Sequence, residues 1–224
     1  MCRGPALLGR RWCYQCGRHR DEAPGMLADV VVPIAYAVKG GRHATSLWRY
    51  KSGGPAGAAA RASLRALALV FLRDHGACIW RQAAMPPPRW LALPPSGQGR
   101  PGAHPLARLL RPSLALRPVV LTPRPGEHLG RALNPWRFRA GSALAGASVL
   151  LIDDTWVSGA SAQSAAVALR VAGARHVAVI VLGRHIDLAD ARSRPLCSGL
   201  ASMRYDPRQC AVHPVITISN QNCV

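Results

Sequence analysis

Two carboxylates stand side by side where an apolar run ends. Val149-Leu150-Leu151-Ile152 leads into Asp153-Asp154, and Thr155-Trp156-Val157-Ser158-Gly159-Ala160-Ser161 follows before an Ala-rich stretch. A continuous apolar run of this kind over 147–152 predicts a strand buried on both faces of a parallel sheet. Ligands of such sheets bind outside the carboxyl ends of the strands. The small-residue turn then opens a helix over 162–172, closed by Gly173. The free N–H groups and dipole at its start favour a phosphate, and Ser158 and Ser161 add hydroxyl donors. Acids beside a phosphate loop suit a phosphorylated sugar. Asp153 and Asp154 can accept hydrogen bonds from ribose hydroxyls or hold Mg²⁺, directly or through water. Two adjacent acids can also be mere turn residues. With only ten acids in the chain, and a loop and helix directly behind this pair, the sugar-phosphate reading is the stronger one.

Other residues could join this chemistry. A second buried strand is predicted over 176–182, which puts Arg184 and His185 on the same rim, where they could meet a second substrate or be a solvated pair. Lys51 could reach a phosphate or be a surface charge. Guanidinium groups bind phosphates bidentately; of Arg100, Arg124 and Arg131, Arg100 is favoured because the glycines around it let the backbone approach a ligand. Cys13-Tyr14-Gln15-Cys16 is half of a zinc site, and structural zinc takes four ligands. Cys210-x-x-His213 could complete a Cys₃His set, with Cys197 as an alternative, or the pair could remain unmetallated. Cys2, Cys78 and Cys223 show no partner in the sequence.

The elements that must position these residues follow from composition. Residues 1–28 are polar and basic and predict a loop-rich knuckle, leaving 29–224 as the main domain. Val30–Val38 is strand-like, with Pro33 placing it at an edge or a bulge. Pro55 to about Asp74 predicts a helix with Leu64, Leu67, Val70 and Phe71 on one face. Cys78–Trp80, Trp90–Leu93 and Pro118–Leu121 are short strand candidates, and His104–Leu110 a brief helix. The Arg-rich stretch 123–141 fits no regular element and predicts a lid or binding loop. The strand–loop–helix–strand unit at 147–182 implies an α/β fold with a parallel sheet.

Charge is the chain's compositional anomaly. In 224 residues there are 29 basic and 10 acidic side chains, a net +19, and all the basic ones except Lys39 and Lys51 are Arg. Such a surface favours anionic partners: phosphates, nucleotides or nucleic acid bound without sequence preference. The six Trp are scattered and form no stacking platform, and no DNA-reading module stands out. No run approaches the roughly 20 apolar residues of a bilayer span, and the first 20 residues lack a signal peptide's apolar stretch. A cytoplasmic, reducing setting without a membrane partner is expected, with the seven Cys as thiols or metal ligands rather than disulfides.

The segment 149–161 resembles the phosphoribosyl pyrophosphate (PRPP) signature of type I phosphoribosyltransferases: an apolar strand, two acids, then a loop around Gly159. The chain as a whole looks most like the ComF-like members of that class. Cys13-Tyr14-Gln15-Cys16-Gly17 matches half of their zinc element, Tyr50-Lys51-Ser52-Gly53 their Lys-bearing stretch, and Leu93-Pro94-Pro95-Ser96 with Arg100 the loop near pyrophosphate. The resemblance implies a type I phosphoribosyltransferase fold with Asp153 and Asp154 as the catalytic, Mg²⁺-associated pair. It implies PRPP held by Thr155, Val157, Ser158, Gly159, Ala160 and Ser161 with help from Lys51, Arg100 and Arg184, and transfer of phosphoribose to a nitrogen acceptor. Val157 replaces one of two hydroxyl residues usual before the loop glycine, and Arg131-Ala132-Leu133-Asn134 stands in place of an Arg-Gly-Phe-Asn-Gln stretch. These departures keep a second possibility in view: a PRPP- or nucleotide-binding module linked to DNA uptake.

Overall fold

The computed structural model describes residues 2, 12–95, 104–125, 130–141, 143–190, 193 and 205–212. Its elements, in chain order, are α1 (Tyr14–Glu22), β1 (Val30–Pro33), β2 (Tyr36–Val38), α2 (Arg42–Arg49), α3 (Gly54–Gln82), β3 (Trp90–Ala92) and α4 (Pro105–Leu110). There follow β4 (Arg117–Val119), β5 (Leu121–Pro123), β6 (Phe138–Ala140), β7 (Ser148–Trp156), α5 (Ala160–Val171) and β8 (His176–Ile186). The fold is α/β, with a central parallel sheet flanked by helices. Its strand order is β1-β8-β7-β3-β4, and β2 pairs with the far end of β8.

The middle strands explain the apolar runs. Leu150 and Ile152 of β7 and Ala178 and Ile180 of β8 face one core, which also takes Leu47, Tyr50, Leu64, Phe71 and Ile79 from the segment of α2 and α3. Val149, Leu151, Val177, Val179 and Val181 face the other core, against Ala162, Ala165, Ala166 and Leu169 of α5. Alternation along each strand is intact, but both faces are buried, so no polar residue interrupts it.

Several sequence expectations need correction. The run 30–38 is two strands: it breaks at Ile34-Ala35 directly after Pro33, and both halves pair with β8. Among the described residues of the N-terminal knuckle, Tyr14–Glu22 form a helix, α1, that starts straight after Cys13. Cys78–Trp80 is not a strand. Helix α3 runs through it, because Ala68, Phe71, His75 and Ile79 continue one buried stripe past Gly76. By length and composition alone α3 could cross a membrane, since an 18-residue window reaches a mean hydropathy of 1.3; here its stripe lies on the sheet. The stretch 123–141 is not irregular throughout, since β6 pairs antiparallel with β5, Thr122 opposite Arg139. Phe138 fills the α5-side core, and the Asn134 N–H donates to Ser164 Oγ (3.0 Å) on α5. The segment is therefore docked on the helix that follows the acids.

Candidate functional site

The acids sit further inside the sheet than expected. Strand β7 continues through Asp153, Asp154 and Thr155 to Trp156, so Thr155 is strand and the turn proper is Val157–Gly159. Alternation sends the two carboxylates to opposite faces of the strand. Asp154 Oδ2 accepts from the Tyr50 hydroxyl (2.5 Å) and pairs with Lys51 Nζ (2.6 Å). Asp153 Oδ1 accepts the Asp154 N–H (2.8 Å). Both acids are buried.

Their electrostatics diverge. Burial alone would push Asp154 up, but the Lys51 charge, with hydrogen bonds from Lys51 and Tyr50, holds its carboxyl below the usual value. Asp153 is pushed up to about 7, by burial first and by the Asp154 charge second. The Lys51 charge opposes this, and the Arg137 charge opposes it more weakly; Arg137 is itself buried, its Nη1 donates to the Gly130 carbonyl (3.0 Å) and its Nε has no hydrogen-bond partner. Burial lowers the Arg137 pKa and the Asp153 charge opposes that. His104 caps α4 by accepting the Leu106 N–H (3.2 Å) and feels the Asp154 and Lys51 charges.

The turn behind the acids depends on one glycine. Gly159 lies at φ +84°, and a Cβ there would sit 2.0 Å from the Trp156 ring. This turn delivers the start of α5 to the carboxyl end of β7. Ser158 Oγ donates to the Arg131 carbonyl (2.9 Å) and accepts the Ala160 N–H (3.3 Å). Ser161 lies half-buried in the first turn of α5 and Ala160 is buried, while Val157 is exposed.

The structure sorts the remaining sequence candidates. Lys51 is at the site, as the partner of Asp154. Arg184 is not available as drawn from the sequence: it is buried, and Nη1 donates to the carbonyls of Trp156 (3.0 Å) and Val157 (2.5 Å), so it braces the turn from within. His185 instead lines a cleft of about 300 Å³ with Leu47, Trp48, Lys51, Ser52 and Thr155. Trp48, 71% exposed, forms part of its wall. The cleft therefore opens beside the acid pair, sharing Lys51 with it. Arg100 and His213 lie outside the described residues, as does Cys197. Tyr50 and Arg137 are the site residues that sequence reasoning missed. The tyrosine adjoins Lys51 in a stretch already singled out, whereas nothing local marks Arg137 among so many arginines.

The cysteines regroup. Cys13 and Cys16 cluster with Cys2, not with Cys210: Cys2 Sγ is 3.4 Å from Cys13 Sγ, and Cys16 donates to Cys2 (3.2 Å). Cys210 is instead beside His75 and Cys78. Hydrogen bonds from Cys16 and Cys2 lower the Cys13 pKa, the same contacts raise that of Cys16, and the Arg184 charge reaches Cys13 as well. The N-terminal cluster thus lies near the residue bracing the 157–159 turn. His19, one turn beyond Cys16, is buried with both ring nitrogens unpartnered. Three thiols are a soft donor set that could bind a metal and is compatible with structural zinc. Among the described residues, no disulfide joins any cysteine.

The chain matches no known protein family, no curated protein and no solved structure.

Proposed function

We propose that the protein is a phosphoribosyltransferase of the type I, ComF-like kind, binding PRPP with Mg²⁺ and transferring phosphoribose to a nitrogen acceptor. One observation carries this: two adjacent buried acids, one of them paired with Lys51, lie near the carboxyl end of the central parallel strand, which leads through Thr155 and Trp156 into a glycine turn and a helix N-terminus. The 5-phosphate would take the N–H groups of 157–161, and the ribose hydroxyls would donate to Asp153 and Asp154. The acid pair fits Mg²⁺, because carboxylate oxygens are the donors a hard cation takes. When bound there, Mg²⁺ supplies charge neutralisation for the leaving pyrophosphate. Arg137, with its unpartnered Nε, would assist there. An acceptor ring would enter the cleft beside Trp48 and His185. There its nitrogen attacks the anomeric carbon, forming the C–N bond as the bond to pyrophosphate breaks and the electron pair leaves with that group. Holding both partners in line is the main catalytic contribution.

A second reading is a module that binds PRPP or a nucleotide without turnover while its basic surface holds nucleic acid. The Ser158 hydroxyl favours it, being directed to the Arg131 carbonyl rather than to the turn's open side. In either case Cys2, Cys13 and Cys16 would hold a structural zinc.

Calorimetric titration with PRPP, with and without Mg²⁺, tests the site. Mg²⁺-dependent binding that vanishes in Asp153→Asn/Asp154→Asn supports it, and release of pyrophosphate with a purine or pyrimidine base separates enzyme from module. A folded wild-type protein that binds no PRPP overturns the enzyme reading, and one that also binds no nucleotide overturns the module.

A further inference from the structure

A second group of side chains that could hold a metal plays no part in the proposed chemistry. His75 and Cys78 are three residues apart on α3 and therefore on one face. Cys210 arrives from the 205–212 segment, which holds neither helix nor strand. A His75 ring nitrogen, Cys78 Sγ and Cys210 Sγ all lie within 4.8 Å of one another. Cys78 and Cys210 are half-buried, so an ion can reach them.

We infer that His75, Cys78 and Cys210 form a zinc site that clips the C-terminal segment to α3. The imidazole is held in place: Nε2 lies 2.8 Å from the Pro207 carbonyl, and the ring packs on Phe71 with centroids 5.1 Å apart. With Nε2–H donating to that carbonyl, Nδ1 keeps its lone pair, the arrangement in which metal-bound histidines are usually fixed by an outer hydrogen bond. Two sulfurs and one imidazole nitrogen select a thiophilic ion over Mg²⁺ or Ca²⁺. Binding releases two thiol protons, and two thiolates with a neutral imidazole cancel the ion's double charge. Three protein ligands leave one position for water or a further group. The ion would add to what already holds the segment, which includes the Pro207 bond and the packing of Ala211 and Val212 on the α3-side core, whereas its Arg208–Asp206 ion pair is local and exposed.

The test uses the full chain, purified under reductant, with zinc counted by elemental analysis and Co²⁺ substituted for spectroscopy. Cys78→Ser/Cys210→Ser should lose one equivalent of zinc and the thiolate-to-cobalt absorption belonging to it. Cys13→Ser/Cys16→Ser should lose only the other equivalent. If the N-terminal cluster holds no metal, wild type carries one equivalent, and it must vanish in Cys78→Ser/Cys210→Ser. His75→Gln should weaken binding at this site alone, and chelation should expose the 205–212 segment to trypsin at Arg208. Matching circular dichroism of the variants and chelated wild type confirms that folding is intact. Unchanged zinc in Cys78→Ser/Cys210→Ser overturns the inference. So does a wild-type chain two hydrogens lighter than its reduced form, with a Cys78–Cys210 disulfide in place of an ion.

Discussion

Asp153 and Asp154 are neighbours in sequence with opposite electrostatic situations, and the difference has a pH signature. Asp154 has Lys51 and Tyr50, whereas Asp153 has burial and a like charge. Between the ordinary carboxylate value of about 4 and about 7, the folded protein keeps a proton on Asp153 that the unfolded chain has released. Stability therefore falls as pH rises through that window and levels off above it. Asp153→Asn should accordingly melt higher than wild type at pH 8, with the gain gone near pH 4; thermal unfolding across pH measures this. A divalent cation at the pair favours the charged form, so Mg²⁺-dependent PRPP affinity should weaken as pH drops below about 7. Gly159 makes a second prediction at this scale. Gly159→Ala meets both a left-handed backbone and the Trp156 ring, a cost of about 2–4 kcal/mol. Gly146→Ala, at φ +67° with open space, incurs only the backbone part, about 1–2 kcal/mol. Equal losses in denaturant titrations would refute the packing role given to Trp156.

The elements around the acids differ in how visibly they are written. β7, α5 and β8 were legible because burial on both faces produces unbroken apolar runs, and Gly173 marks the helix end at φ +99°. Helix α2 was not, since it is only eight residues long and Leu47 alone among them is buried. The reach of α3 was misjudged at Gly76, a residue that ends many helices but here lies under the Trp80 indole within a continuing buried stripe. The acid pair and its turn were legible because they are contiguous. Arg137 was not, because a β5–β6 pairing and docking on α5 bring it to Asp153. The close seat of α2 on the sheet rests on Gly183 of β8, where a Cβ would lie 2.3 Å from Leu47 Cδ1 and 3.0 Å from Ala37 Cβ. Gly183→Val should cost about 1–3 kcal/mol and lower the Tm by several degrees. It should also weaken any ligand of the Trp48–His185 cleft more than it weakens PRPP.

At the scale of the whole molecule, charge dominates. A net +19 should give DNA binding indifferent to sequence, with affinity falling on a log–log salt plot by roughly 0.9 per phosphate neutralised. Fluorescence anisotropy with two unrelated duplexes checks it. A flat salt response, or strong preference for one duplex, would contradict the electrostatic account. The strand order has a different consequence, for synthesis on the ribosome. β7, α5 and β8 are consecutive and pair locally, but β1 pairs with no described strand except β8, so Val30 must wait for Ala178. Early strands made first are thus the last to find a place, and their exposed Val-Val-Val edge is in the meantime open to wrong pairing. The nascent chain should depend on chaperones until β8 has cleared the exit tunnel, and become independent of them at that length.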